Sequence, residues 1–336
     1  MFDYSLLEKF DPSGMHKIYD KWPDLAKEAY HTDYQPFDFD EINHIVFSGM
    51  GGSGAIGDTI SAILSKSKTH VTTVKGYHLP NTVDSNTLVI AISASGDTIE
   101  TLTVLDSAKK LGCKLAAFSS GGKMEKFCAK NNIEYRKIPM IHSPRASFSK
   151  LLYGMLRSLE NVIPINKKDI EDSIQSLEKL RPKISSSNLT EENSSLQLAK
   201  WIKGIPVVYY PWGLQAAAIR FKNSIQENAK LHCYAEDVIE ACHNGIVAWE
   251  KPNMAQPILI EGQDDYIKTK ERWKILKEFF KTKNIDYQEI FSIKSNILSK
   301  LINLIYQLDY STIYLAVSNK IDPTPIPSID FIKEKL

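Results

Sequence analysis

The stretch "HIVFSGMGGSGAIGD", residues 44–58, joins a short apolar run to a cluster of glycines and then to a helical pattern. A β-branched run that stops at glycines predicts a strand, a tight turn and the start of a helix. In parallel sheets, ligands collect at the carboxyl ends of strands, where helix N-termini offer amide hydrogens and a partial positive charge. The segment therefore predicts an anion-binding loop in an α/β fold.

Strand and helix patterns keep alternating along the rest of the chain. Four more short runs follow the first: "HVTTVKG" (70–76), "TLVIAIS" (87–93), "KLAAFSS" (114–120) and "IEYRKIP" (133–139), with helical patterns between them. A second alternation runs from "IPVVYYP" (205–211) to "IDYQEIF" (285–291), and a long apolar helix pattern covers about Asn296 to Ser318. This rhythm predicts two α/β lobes, each a parallel β-sheet flanked by helices.

The boundary between the lobes is expected in the polar region from Asn166 to Ser195. Its helical patterns are predicted to break at Pro182 and at the "SSSN" run. We therefore expect residues 1–165 to form an N-terminal lobe with the anion-binding loops, and residues 166–336 to form a C-terminal lobe.

Composition and charge argue against several classes of protein. The chain has 336 residues, 43% of them hydrophobic, and its 41 Lys and Arg nearly balance 40 Asp and Glu, which leaves no global field for nucleic acid or an anionic membrane. The apolar stretches are interrupted before they reach the length of a membrane span, and the N-terminus lacks a signal-peptide pattern. Four cysteines without a CxxC pair predict structural thiols. We expect a cytoplasmic protein that needs no metal.

Two nucleotide interpretations of the glycine loop are weak. Gly49, Gly51 and Gly54 fit the dinucleotide pattern GxGxxG. Dinucleotide sites usually also have an acidic residue at the end of the next strand, which binds a ribose hydroxyl, and this chain has Lys75 there. A triphosphate loop needs Lys and then Ser or Thr after its last glycine, and here Ala55 follows.

A second loop, "SASGDTIETL" (93–102), also follows an apolar strand and opens a helix. Its hydroxyls and amides suit a phosphate monoester, which has several acceptor oxygens. The plain alternative is that Ser95 or Asp97 only caps the helix. Taken together, the two loops favour a phosphate site made of Gly52, Ser53, Ser93, Ser95 and Thr98, with Gly51 as a weaker candidate.

These two loops resemble the paired glycine and serine loops of sugar isomerase (SIS) domains. The order of "SPRASFSKLL", "SIQENAK", "CHNGIVAWE" and "DYSTIYLAVSNKIDPTPIPSIDFIK" resembles the bifunctional phosphoglucose/phosphomannose isomerase family across almost the whole chain. The resemblance implies two SIS-type, flavodoxin-like lobes and no cofactor. It also implies interconversion of glucose 6-phosphate, mannose 6-phosphate or both with fructose 6-phosphate, through ring opening and a cis-enediol.

The resemblance also assigns roles to individual residues. It matches the proton-transfer glutamate to Glu227 in "ENAK", at a helix end near the strand ends of the second lobe. It matches the ring-opening histidine to His243, which in a homodimer can reach the neighbouring subunit's site. Arg145 in "PRA" matches the cation that stabilises the enediolate, and Thr324 and Lys333 are weaker candidates for substrate contact.

Residue type alone favours plainer roles for three of these residues. It predicts a solvated charge at Glu227, a structural histidine at His243 and a surface arginine at Arg145. The "CHNG" segment also departs from the family, in which Asn commonly precedes the histidine and an acid follows the next Asn. Cys242 and Gly245 occupy those two positions, so the support of His243 is expected to differ.

Three alternative functions remain open on the sequence. A catalytically silent SIS module that senses a sugar phosphate would keep both loops. A dinucleotide-dependent oxidoreductase would use GxGxxG, against the evidence of Lys75. A metal-dependent isomerase would need a compact set of histidines and carboxylates, and the sequence shows no such spacing.

Overall fold

The computed structural model describes residues 2–336, which form two compact units. One unit is Lys21–Gln175, and the other is Met1–Asp20 together with Ser176–Leu336. This division differs from the expected lobes 1–165 and 166–336. The first residues belong to the C-terminal unit because helices α1 (Tyr4–Phe10) and α2 (Met15–Asp20) pack against a long helix, α13 (Ile297–Ser318).

The N-terminal unit is a five-stranded parallel sheet with helices. Its strands are β1 (His44–Ser48), β2 (His70–Val74), β3 (Thr87–Ser93), β4 (Lys114–Ser119) and β5 (Glu134–Lys137). Its helices are α3 (Trp22–His31), α4 (Gly51–Leu64), α5 (Ile99–Lys110), α6 (Gly122–Asn131) and α7 (Phe148–Ser158), and α8 (Lys167–Ile184) follows them. The strand order β2-β1-β3-β4-β5 is the flavodoxin-like order, so the predicted fold class is confirmed.

The C-terminal unit has a four-stranded parallel sheet. Its strands are β6 (Ile205–Tyr210), β7 (Tyr234–Asp237), β8 (Ala255–Glu261) and β9 (Gln288–Phe291), in the order β7-β6-β8-β9. Its further helices are α9 (Ser194–Trp201), α10 (Gln215–Ser224), α11 (Val238–Ala241), α12 (Ile267–Thr282) and α14 (Pro327–Lys333). This order repeats that of the first four strands of the other sheet.

Burial explains why the central strands do not alternate between apolar and polar residues. Every residue of β1 and of β3 is buried, since helices cover both faces of a parallel sheet. The predicted helix over 296–318 is confirmed as α13, which is buried almost all round rather than on one face.

The prediction that Pro182 breaks the helix is wrong. Helix α8 contains Pro182 and ends at Ile184. Pro182 has no amide hydrogen and its ring crowds the preceding turn, and the helix ends two residues later at Ile184. Among residues 2–336, no helix combines the length and the apolar character that crossing a membrane requires.

Candidate functional site

The first glycine loop connects β1 to the start of α4. Helix α4 begins at Gly51, which has a φ of +50°, and within the described chain no side chain caps it at Met50. A Cβ added at Gly54 would lie 2.6 Å from the carbonyl oxygen of Gly49, so the turn requires glycine there. The N-terminus of this 14-residue helix, with Gly52 and Ser53 in its first turn, therefore offers amides and positive dipole charge to an anion.

The second loop joins the first through buried hydroxyls. Strands β1 and β3 are neighbours in the sheet, so the loops that follow them meet at its carboxyl edge, where the strand order reverses. The Ser53 hydroxyl, which is 6% exposed, accepts a hydrogen bond of 3.2 Å from the amide of Ala94. The two predicted loops are therefore one connected structure.

The four predicted hydroxyls differ in exposure. Ser93 is buried, accepts from the Gly96 amide at 2.9 Å and lies 2.8 Å from the Thr98 hydroxyl. Ser95 is half-buried and accepts from the Asp97 amide at 3.3 Å. A hydroxyl that accepts one bond can still donate its proton. Ser53 and Ser93 thus shape the loop, while Ser95 and Thr98 are the more accessible hydroxyls.

A third glycine loop, missed in the sequence, supports the second. Gly96 has a φ of +82°, and a Cβ there would overlap the carbonyl oxygen of Gly121, which follows β4. Asp97 accepts a hydrogen bond of 2.9 Å from the Lys123 amide at the start of α6. The signal was present in "SSGGK", another cluster of glycines at the end of a strand.

Lys75, at the position where a dinucleotide site wants an acid, lies beside the first loop. Its Cε would be 3.2 Å from a Cβ at Gly54, and its ammonium forms an ion pair of 2.5 Å with Asp58. Burial raises the pKa of Asp58. Within residues 2–336, no three His, Cys, Asp or Glu side chains gather as a metal site.

Arg145 is buried rather than on the surface. It is 3% exposed and lies in a turn before α7, which begins at Phe148. The Ser147 hydroxyl holds this turn by donating to the carbonyl oxygens of Ile141 and Ser143, at 2.7 and 2.8 Å. The adjacent His142 has a φ of +61°. A buried guanidinium on a fixed, strained turn is suited to a defined contact.

Glu227 lies at the end of a helix, as predicted. It is half-buried in a π-helical turn, Ile225–Ala229, that continues α10, and such turns are frequent at functional sites. On one side of it, the Ser224 hydroxyl is 2.7 Å from the Asp309 carboxylate. On the other side, the side-chain amide of buried Asn228 donates to the Thr312 hydroxyl at 2.7 Å. Both anchors lie on α13, so the backbone of Glu227 is held from both sides.

A buried ion pair reinforces this anchor. Arg220 and Asp309, 2% and 0% exposed, are joined at 2.9 and 2.6 Å, and the Tyr19 hydroxyl also donates to Asp309. Burial raises the pKa of Asp309, while Arg220 and the hydroxyl donors lower it.

His243 is exposed in the turn after α11. Its amide donates to the carbonyl oxygen of Glu240 at 2.8 Å. The next residue, Asn244, bonds the Glu240 carboxylate at 2.7 Å and accepts from the Gly245 amide at 2.5 Å. The backbone around the imidazole is therefore ordered, and the ring faces outward.

Glu236 lies next to the glycine at 245. A Cβ at Gly245 would lie 2.5 Å from the carboxylate of Glu236 on β7, so a larger residue there would require this flexible side chain to move. Burial, together with Glu240 and Asp237, raises the pKa of Glu236. Burial also raises the pKa of Cys242.

Glu227 and His243 lie toward opposite ends of the strands in the four-stranded sheet. Helix α10 follows the carboxyl end of β6 and returns by about 18 Å before Glu227, at about 1.5 Å per residue. The strand ends near Glu227 are thus amino ends. His243 comes after the carboxyl end of β7. The sheet therefore separates the positions of these two residues along the strand direction.

The C-terminal segment lies next to the Glu227 turn. The Lys230 ammonium donates to the carbonyl oxygens of Glu227 and Pro325, at 2.5 and 2.7 Å. This contact brings the segment that holds Thr324 to the turn. Lys333 is exposed on α14, which was not predicted as a helix.

Comparisons with known proteins agree with this architecture. A family described as the SIS domain matches residues 39–136, and one described as the bacterial phospho-glucose isomerase C-terminal SIS domain matches residues 191–336. The structure resembles that of a hypothetical protein from Thermus thermophilus, with a TM-score of 0.74 and 15% identity over 98% of this chain and 91% of that one. It also resembles tagatose-6-phosphate ketose/aldose isomerase from Escherichia coli, with a TM-score of 0.67 and 12% identity over 92% and 94%. The fold and the loops thus define a protein of the SIS class.

Relatives in sequence narrow this class. A bifunctional phosphoglucose/phosphomannose isomerase from Caldicellulosiruptor bescii is 34% identical over 88% of this chain and 90% of its own length. One from Aquifex aeolicus is 30% identical over 94% of each chain. The chain belongs to the bifunctional phosphoglucose/phosphomannose isomerase family.

Proposed function

We propose that this protein is a sugar-phosphate isomerase that interconverts glucose 6-phosphate, mannose 6-phosphate or both with fructose 6-phosphate. The observation that carries the proposal is the connected pair of loops after β1 and β3, bonded through Ser53 and Ala94. Family membership supports the choice of a hexose phosphate.

The phosphate binds in this proposal through amides at the start of α4 and through the hydroxyls of Ser95 and Thr98, while buried Ser53 and Ser93 hold the two loops in shape. These donors are all neutral, so the dianion is held by several hydrogen bonds and a helix dipole. A sugar that lacks the phosphate would lose these bonds, which makes the monoester the main determinant of recognition.

The chemistry is assigned to three residues. His243 donates a proton to the ring oxygen as the bond from that oxygen to the anomeric carbon breaks, and the anomeric hydroxyl loses its proton to solvent as the C1 carbonyl forms. Glu227 removes the proton from C2 of the open aldose, which leaves a cis-enediol in its anionic form, with the charge on O1. A proton passes from the C2 hydroxyl to O1, and Glu227 delivers its proton to C1, which gives the ketose. Arg145 stabilises the oxyanion that develops. A positioned acid or base contributes about 10²–10⁴-fold, and oxyanion stabilisation adds about 3–4 kcal/mol.

The positions of two of these residues support a homodimer. Glu227 precedes the amino end of β7 and His243 follows its carboxyl end, so in this proposal His243 serves a site whose Glu227 belongs to a second copy of the chain. The exposure of His243 supports this arrangement. A variant pair tests it, since mixing Glu227→Gln with His243→Gln would restore part of the activity that each lacks.

We further propose that the reaction uses no metal and takes place in the cytoplasm. The four cysteines are unpaired with one another in the described residues 2–336, as is usual in reducing compartments. Full turnover in a chelator is expected, and loss of turnover that added metal restores would contradict it.

The decisive experiment follows fructose 6-phosphate in heavy water. We expect aldose 6-phosphates with deuterium at C2. Glu227→Gln should lower kcat by about 10²–10⁴-fold, because glutamine keeps the shape but accepts no proton. The matched control is Glu278→Gln, an exposed glutamate on α12 of the same unit.

Two outcomes would contradict the proposal. Folded protein that forms neither aldose nor deuterated sugar would reject the activity. If hexose phosphate still raised the melting temperature of that inactive protein, the departures at Cys242 and Gly245 would favour the silent sensor instead.

A further inference from the structure

Lys230 has a backbone conformation that its residue type does not favour. It ends the π turn that carries Glu227, with φ of 57° and ψ of 32°. Glycine is the usual residue at such a helix end, because a side chain in the left-handed region costs about 1–2 kcal/mol. A lysine at this position therefore needs a compensating role for its side chain.

The side chain of Lys230 bonds two distant parts of the chain. Its ammonium reaches back to the carbonyl oxygen of Glu227 and across to that of Pro325, ninety-five residues further on. A cation is also favoured at a helix C-terminus, where carbonyl oxygens point outward. The lysine thus joins the turn of the proton-transfer residue to the segment after α13.

The C-terminal segment offers few other polar backbone anchors. Pro323, Pro325 and Pro327 have no amide hydrogens, so their carbonyl oxygens are the polar groups left for attachment. The Asp322 carboxylate bonds the Thr324 amide at 2.8 Å, which orders the segment locally. The bond from Lys230 to Pro325 joins this stiff segment to the Glu227 turn.

We propose that Lys230 is a positioning residue that locks the Glu227 turn to residues 322–326. This link holds Glu227, the proposed base, and Thr324, the candidate substrate contact, in a fixed position relative to each other. The inference rests on the proposed function for its catalytic consequence, whereas the structural link can be tested without turnover.

Lys320 provides a matched control. It also has a left-handed backbone, with φ of 59°, and it follows the end of α13 in the same unit. Its side chain is exposed, and among the described residues it has no ion pair or side-chain hydrogen bond. Replacing it removes the same charge from the same conformation without breaking a link.

The experiment compares Lys230→Met, Lys230→Arg and Lys320→Met in the full chain. Hydrogen exchange should accelerate at least ten-fold in residues 321–336 of Lys230→Met, and remain as in the unmodified protein for Lys320→Met. With fructose 6-phosphate, Lys230→Met should lose about 10–100-fold in kcat, because small displacements of a reacting group are costly. Lys230→Arg, which can still donate to both carbonyls, should recover most of both losses.

The outcomes separate this inference from the proposed function. Unchanged exchange in Lys230→Met overturns the link, and faster exchange with an unchanged kcat overturns the positioning role. If the unmodified protein shows no turnover, the proposed function fails, and the exchange comparison still decides whether Lys230 connects the two segments.

Discussion

Replacing Gly96 with alanine is expected to destabilise the N-terminal unit severely. Gly96 has a φ of +82°, and a Cβ there would overlap the carbonyl oxygen of Gly121 and lie 2.7 Å from its carbonyl carbon. The obstacle is backbone, which cannot move aside as a flexible side chain can.

The size of the loss follows from two terms. A left-handed backbone costs an alanine about 1–2 kcal/mol, and overpacking adds about 1–3 kcal/mol. The total of about 2–5 kcal/mol is a large part of the usual stability of a domain, about 5–15 kcal/mol. The matched control is Gly112→Ala. Gly112 has a φ of +73°, and a Cβ there would meet open space among the described residues, so only the first term applies.

The assay is hydrogen exchange of the buried amides of β3, which exchange only when the unit opens. A loss of about 2–5 kcal/mol accelerates this exchange by about 30-fold to several thousand-fold, since about 1.4 kcal/mol is a factor of ten. Because the Gly96 loop carries Ser95 and Thr98, affinity for a hexose phosphate should fall as well. Equal acceleration by Gly96→Ala and Gly112→Ala would refute the close approach of the two loops.

Two further predictions concern the C-terminal unit. Asp309→Asn leaves the buried Arg220 charge without its carboxylate and should lower the free energy of unfolding in urea by about 3–5 kcal/mol. The control, Asp330→Asn on exposed α14, should change it very little. Similar losses in both variants would contradict the buried pair. Glu236→Gln should stabilise the protein near neutral pH, because burial raises the pKa of Glu236 and makes its charged form unfavourable in the folded state. That gain should disappear as the pH falls below the ordinary pKa of glutamate. If the difference in urea midpoint between Glu236→Gln and the unmodified protein stays the same from about pH 7 to pH 4, the carboxylate is not destabilising.

Local sequence patterns were sufficient to predict most of the strands and helices. The run "TLVIAIS" is a strand over the predicted residues, and the pattern over 296–318 is a helix, because both rest on periodicity within a few residues. Pro182 was misjudged because the cost of a proline depends on how near the helix end lies. Helix α14, which begins at the last proline of "DPTPIP", was not predicted.

The sequence by itself determined the two α/β lobes, the loops after the first and third strands, and the glutamate at the end of a helix. Each of these depends on residues close together in the chain. Only the tertiary structure decided that Gly96 meets Gly121, that Arg145 is buried, and that Lys230 bonds both Glu227 and Pro325. It also placed Glu227 and His243 toward opposite ends of the strands of their sheet. The physical reason is that such contacts join segments far apart in the chain, and their partners are chosen by packing rather than by local periodicity.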